Sequence, residues 1–140
     1  MSTVSFQINA QLAADSHALL KWKNCHLRLH KNASLPWIII IPDTDEVEFC
    51  DLSVENQLTI THISGLISDY FKAKLNIEKI NFAAIGNVVQ QLHIHVVGRY
   101  ATDPLWPDVV WGNPLPEASY CEADLAHWRA TCKTILEETV

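Results

Sequence analysis

The chain has 140 residues, of which 49% are hydrophobic and 19% charged, and its formal net charge is −6. That length suits one domain with one core, and this much apolar side chain excludes a disordered chain. The acidic balance excludes broad binding to a nucleic-acid backbone, and no apolar run reaches membrane-spanning length.

In chain order, the N-terminal Met1 to Ser5 has neither a basic cap nor an apolar core, so no export signal is expected. The four cysteines (Cys25, Cys50, Cys121, Cys132) form no CxxC pair. Cys121 and Cys132, eleven residues apart on one expected helix, are separated by roughly 16 Å, too far for a disulfide. Reduced thiols in a cytoplasmic protein are the expectation. A short helix over 11–15 precedes strands over 17–20 and 25–30. Turn residues 31–34 lead into a β-branched strand over 37–41 that Pro42 ends, apolar enough to be covered on both faces.

Apolar residues Ile60, Ile63, Ile67, Phe71 and Leu75 recur at helical spacing, predicting a long helix over 52–76 with Ser53 near its start and Lys72 and Lys74 near its end. Strands over 80–85 and 92–99 follow, with turn chemistry at Gly86 and Asn87. Residues 102–119 hold Pro104, Pro107, Pro114 and Pro116 and read as an irregular arm. A terminal helix is expected over 122–138. The order predicts an α+β fold: an antiparallel sheet of about five strands, one long helix and a C-terminal helix, in a single domain over 1–140.

The segment with the clearest chemistry is Gln91-Leu92-His93-Ile94-His95-Val96-Val97. Period-two alternation on a strand puts Gln91, His93 and His95 on one face and Leu92, Ile94 and Val96 toward a core. Two imidazoles about 7 Å apart on a rigid strand make a preorganised site. A neutral imidazole is a nucleophile, and a protonated one donates hydrogen bonds to anionic oxygen. An HxH pair on a strand is equally a metal pair or a chance surface pair. His26 and His30, four residues apart, could join it as further metal ligands. Arg99, beyond the same strand, reads as a solvated strand end or a phosphate contact. Trp106 and Trp111 in the arm read as core or dimer contacts, or as a lid. His17, His62 and His127 read as surface or helix-face residues.

The stretch from Gly86 to Val97 resembles the signature of the histidine triad (HIT) superfamily, in which three histidines alternate with apolar residues after a small polar turn opening with glycine. The run from Asn32 to Pro42 resembles that family's early strand. Two positions depart from the pattern: Gln91 stands at the first triad histidine, and Trp37 at a further histidine of the early strand.

The resemblance implies a HIT fold and a nucleotide hydrolase or nucleotidyl transferase. Its substrates are phosphoanhydrides or phosphoramidates such as diadenosine polyphosphates or adenylylated small molecules. It implies that His93 attacks the α-phosphorus to form a nucleotidyl-histidine. His95 and Gln91 would act beside it, with Asn87, Val88 and Val89 binding the remaining oxygens. Asn32 would meet the ribose, and Ile38 and Ile40 would be walls of the base pocket or core. No cofactor or bound metal is required for the nucleophile, although a divalent ion can accompany a polyphosphate substrate. The expected partners are a small-molecule nucleotide and a second copy in a homodimer, with no nucleic-acid polymer and no membrane. The rival functions are a nucleotide-binding module with little turnover, suggested by Gln91 and Trp37, and a metal-dependent hydrolase built on His93 and His95.

Overall fold

A computed structural model describes residues 5–138. Helix α1 (Ala10–Ala14) opens at Asn9, whose side chain accepts the Gln11 N–H at 2.8 Å. Strands β1 (Ser16–Trp22), β2 (Cys25–His30) and β3 (Trp37–Pro42) follow. A single 3₁₀ turn (Phe49–Asp51) leads into helix α2 (Val54–Lys74). The Ser53 hydroxyl caps that helix by accepting the Asn56 N–H. Strands β4 (Lys79–Ala83) and β5 (Ile94–Arg99) complete the sheet, and helix α3 (Glu122–Glu137) ends the described chain. The five strands are antiparallel throughout, in the order β1-β2-β3-β5-β4. This is the expected α+β fold. Among the described residues no helix is long and apolar enough to cross a membrane.

β3 and β5 are the middle of the sheet, and every residue of both is buried. Their alternation supplies two cores rather than one. Ile38, Ile40, Ile94 and Val96 face the helices and pack with Ile60, Ile63, Ile67 and Phe71 of α2 and with Leu125, Cys132 and Leu136 of α3. On the opposite face Trp37, Ile39, Ile41 and Val97 pack with Leu12, Leu35 and Val110. The continuous apolar run of β3 is thus covered on both sides, as its composition requires.

The segment 102–119 contains no helix or strand and lies across this second face. Its anchor is Asp103. This carboxylate accepts from the Arg99 guanidinium at 2.7 and 3.0 Å and from the backbone N–H groups of Tyr100, Leu105 and Trp106. Arg99 is not a solvated strand end, and its guanidinium is already occupied by Asp103. It is 1% exposed, also donates to Asn81 Oδ1, and has Trp106 over its guanidinium.

Two boundaries matter for the site. β5 begins at Ile94, not at residue 92: its pairing with β4 stops at Ala83↔His95 and its pairing with β3 at Ile40↔Ile94. Residues 84–93 are therefore a ten-residue loop rather than a tight turn. Gly86 within it has φ +67°, a left-handed conformation that favours glycine.

Candidate active site

His95 occupies β5 and His93 the loop position just before it. Each is 7% exposed, and their rings meet edge to face with centroids 4.8 Å apart. Both line a cavity of about 320 Å³ on the sheet face away from α2 and α3. β2 and β3 contribute His30, Trp37 and Ile39, and α1 contributes Gln11 and Leu12, with Asp15 just beyond it. The 84–93 loop supplies Gly86, Asn87, Val88 and Val89, and the arm supplies Trp111.

Hydrogen bonding distinguishes the imidazoles. His93 Nδ1 lies 2.7 Å from the Gln91 carbonyl oxygen. A carbonyl can only accept, so Nδ1 carries a proton, and in the neutral ring the lone pair is on Nε2. His95 is the opposite case. Its Nδ1 accepts the Trp37 indole N–H at 3.0 Å, so its single proton sits on Nε2. His30 Nδ1 accepts the Asn32 N–H at 3.1 Å, and its ring stacks on Trp37 at 3.9 Å. The cavity therefore holds one nitrogen lone pair on His93 and two N–H donors, on His95 and His30.

Burial, followed by the neighbouring His93 and His30, pushes the His95 pKa from its ordinary 6.5 down to about 3. Burial also lowers that of His30, partly opposed by Asp15 and reinforced by Lys31. The consequence for stability has a definite sign. Between about 3 and 6.5 the unfolded chain binds a proton at His95 that the folded chain refuses. Stability from this group is complete above pH 6.5 and falls as pH drops through that window. From pH 7 to pH 5 the protein should lose about 2 kcal/mol more than a His95→Gln variant, as read by urea unfolding at both pH values. Equal losses would show that His95 is not held neutral.

Several expected site residues are elsewhere. Gln91 is not on the strand face with His93 and His95. Its side chain accepts from the Asn9 N–H and donates to the Gln7 carbonyl, both at 2.8 Å, and only its backbone carbonyl reaches His93. Ile38 and Ile40 are fully buried core on the helix side, so the apolar wall of the cavity is Trp37 and Ile39 instead. Asn32 does not line the cavity. Its amide donates to the Pro116 carbonyl and accepts from the Ser34 N–H, and only its backbone touches the site, through His30.

His30 does not pair with His26 toward a metal. His26 bonds Asp43 at 2.6 Å and stacks on Phe6. Among the described residues no three His, Cys, Asp or Glu side chains are grouped to hold an ion. Trp111 makes edge contacts with both Trp37 and His95, and its indole N–H is buried without a hydrogen-bond partner. The arm is thus a wall of the cavity. Trp37, Ile39 and Trp111 were the contributions hardest to read from sequence.

The HIT domain family matches the chain over residues 11–102. A histidine triad protein from Marinobacter aquaeolei is similar, at 34% identity and a TM-score of 0.86, with 96% of this chain and 98% of that one covered. A histidine triad (HIT) protein from Sinorhizobium meliloti gives 31% and 0.81, covering 95% and 96%. A histidine triad protein from Bradyrhizobium japonicum gives 26% and 0.83, covering 93% and 97%. No curated protein matches the chain.

Proposed function

Because this chain belongs to the HIT domain family, a superfamily of nucleotide-binding hydrolases and transferases, we propose that it cleaves at the α-phosphorus of a nucleotide phosphoanhydride or phosphoramidate through a nucleotidyl-histidine on His93. The observation that carries this reading is the bond from His93 Nδ1 to the Gln91 carbonyl, which makes Nε2 the lone-pair nitrogen of the neutral ring, in a cavity lined by donors.

The chemistry divides one hard displacement into two easier ones. The Nε2 lone pair attacks phosphorus, the P–N bond forms, and the bond to the leaving group breaks with its electron pair on that group. Water, or an acceptor such as phosphate, then attacks the same phosphorus. The P–N bond breaks, its electrons return to Nε2, and the incoming water gives a proton to solvent. The His95 Nε2–H faces the non-bridging oxygens, and main-chain groups of Asn87, Val88 and Val89 assist it. Preorganised donors of this kind usually supply the largest share of the rate. The nucleotide is bound as substrate, the nucleophile needs no cofactor, and a homodimer belongs to the same proposal.

Mixing the protein with an adenylylated substrate and quenching within milliseconds should give a protein heavier by one nucleotidyl group. The adduct should be acid-labile and map to His93 by peptide mass spectrometry. Tight nucleotide binding with neither adduct nor turnover would replace this reading with a binding module.

A further inference from the structure

We propose that Trp37 makes His95 a fixed hydrogen-bond donor that cannot act as an acid, so that this chain selects substrates whose leaving group departs as a weakly basic anion. The inference rests on the nucleotidyl-transfer reading above and narrows its substrate class to phosphoanhydrides and similar activated phosphates, away from amides of basic amines.

The argument is one of available protons. The Trp37 indole has an N–H and no acceptor, and it points that N–H at His95 Nδ1 over 3.0 Å in a buried contact. A second proton on His95 would have to displace this bond and oppose one N–H to another. Giving up the proton on Nε2 would leave an anionic imidazolate in a buried site. His95 can therefore donate a hydrogen bond to oxygen but has no proton to transfer.

The other titratable groups around it do not replace that function. His30, on β2, is in the same condition, because its Nδ1 accepts the Asn32 N–H. His93 holds its proton against the Gln91 carbonyl and is the nucleophile. Asp15, beyond α1, is ion-paired with Lys31 at 3.4 Å. Arg99, the next charged residue along β5, is bound to Asp103. Among the described residues, the cavity thus offers donors to the phosphoryl oxygens and no acid to the departing group. The stack of His30 on Trp37 fixes the indole plane, so the arrangement is held from two strands. Trp37 is a positioning residue: it acts through His95.

A leaving group such as phosphate, carboxylate or an activated phenolate departs without protonation. An alkoxide or amine anion does not, and a missing general acid withholds about 10²–10⁴-fold in rate.

The test uses adenosine 5′-phosphate esters of phenols of graded acidity, together with the corresponding alkyl amide. For the intact protein, kcat/KM should fall steeply as the phenol becomes more basic, with the amide at least ~10²-fold below the most activated ester. Trp37→Phe keeps a ring against His30 but removes the N–H. It should lower the rate on the most activated ester, because His95 then no longer holds its N–H on Nε2. A second readout needs no turnover. In the unliganded protein, ¹⁵N spectra of the His95 ring should show one neutral Nε2–H form unchanged from pH 5 to pH 8, whereas Trp37→Phe should show a second neutral form protonated on Nδ1.

A shallow leaving-group dependence in the intact protein, or a His95 that titrates in it, overturns the proposal. Both measurements decide the matter even if Trp37→Phe does not fold. If none of the esters yields a His93 adduct, the nucleotidyl-transfer reading fails, and the substrate selection built on it fails too. The spectrum then still decides whether Trp37 fixes His95.

Discussion

Replacing His93 with alanine should abolish the nucleotidyl adduct and lower turnover by about 10³-fold or more, with the fold intact. The reason lies in the division of protons within the cavity. His95 and His30 both have Nδ1 occupied as an acceptor, so each presents N–H where His93 presents a lone pair. Neither can take over the attack. The structural cost should be small, because His93 sits in a loop ahead of β5 and belongs to neither hydrophobic cluster. Its removal leaves one carbonyl, that of Gln91, without its ring partner. The checks are rapid-quench mass spectrometry for the adduct, steady-state assay for turnover, and circular dichroism for the fold. Turnover that survives in a folded His93→Ala protein would place the nucleophile elsewhere.

Asp103→Ala should produce the largest loss of stability, about 3–5 kcal/mol, since it strands a buried guanidinium. The Arg99 and Asp103 side chains are 2% and 0% exposed, so solvent cannot replace the lost partner. The same substitution frees the N–H groups of Tyr100, Leu105 and Trp106, which organise the start of the arm. Because that arm carries Trp111 into the cavity wall, KM should rise in whatever fraction stays folded. Urea unfolding measures the first effect and substrate titration the second. Arg99→Met combined with Asp103→Leu should be more stable than Asp103→Ala alone, because no unpaired charge then remains buried. A loss under ~1 kcal/mol for Asp103→Ala would mean that the guanidinium finds water, contrary to its burial.

The strands, the long helix and the two histidines were legible because each is a local periodicity. Alternation through His93 and His95, and the spacing of Ile60, Ile63, Ile67 and Phe71, need no knowledge of distant residues. What sequence could not supply was which elements cover which face. β3 alternates two apolar sets of equal quality. Only the packing of α2 and α3 against Ile38 and Ile40 leaves Trp37 and Ile39 to the cavity. Gln91 departs from the alternation for a related reason: period two holds only as far as β3 and β4 provide partners, which ends at Ile94. Its side chain instead answers to Gln7 and Asn9, more than eighty residues away in sequence. Arg99 and Asp103 are only four residues apart, yet nothing in that spacing says that both are inside.

The two imidazoles of the HxH pair are held by different kinds of atom, and this bears on how the sequence can drift. His93 is oriented by a main-chain oxygen at position 91, which every amino acid carries. Substitution at that position leaves the oxygen in place provided the loop path is kept, so the side chain at 91 can change without removing the hold on His93. His95 is oriented by a side chain, and a single codon change at Trp37 removes the donor altogether. Within this lineage, position 91 should wander while position 37 stays confined to residues bearing a ring N–H. Sequence variation at the site should thus fall on position 91 before it falls on Trp37.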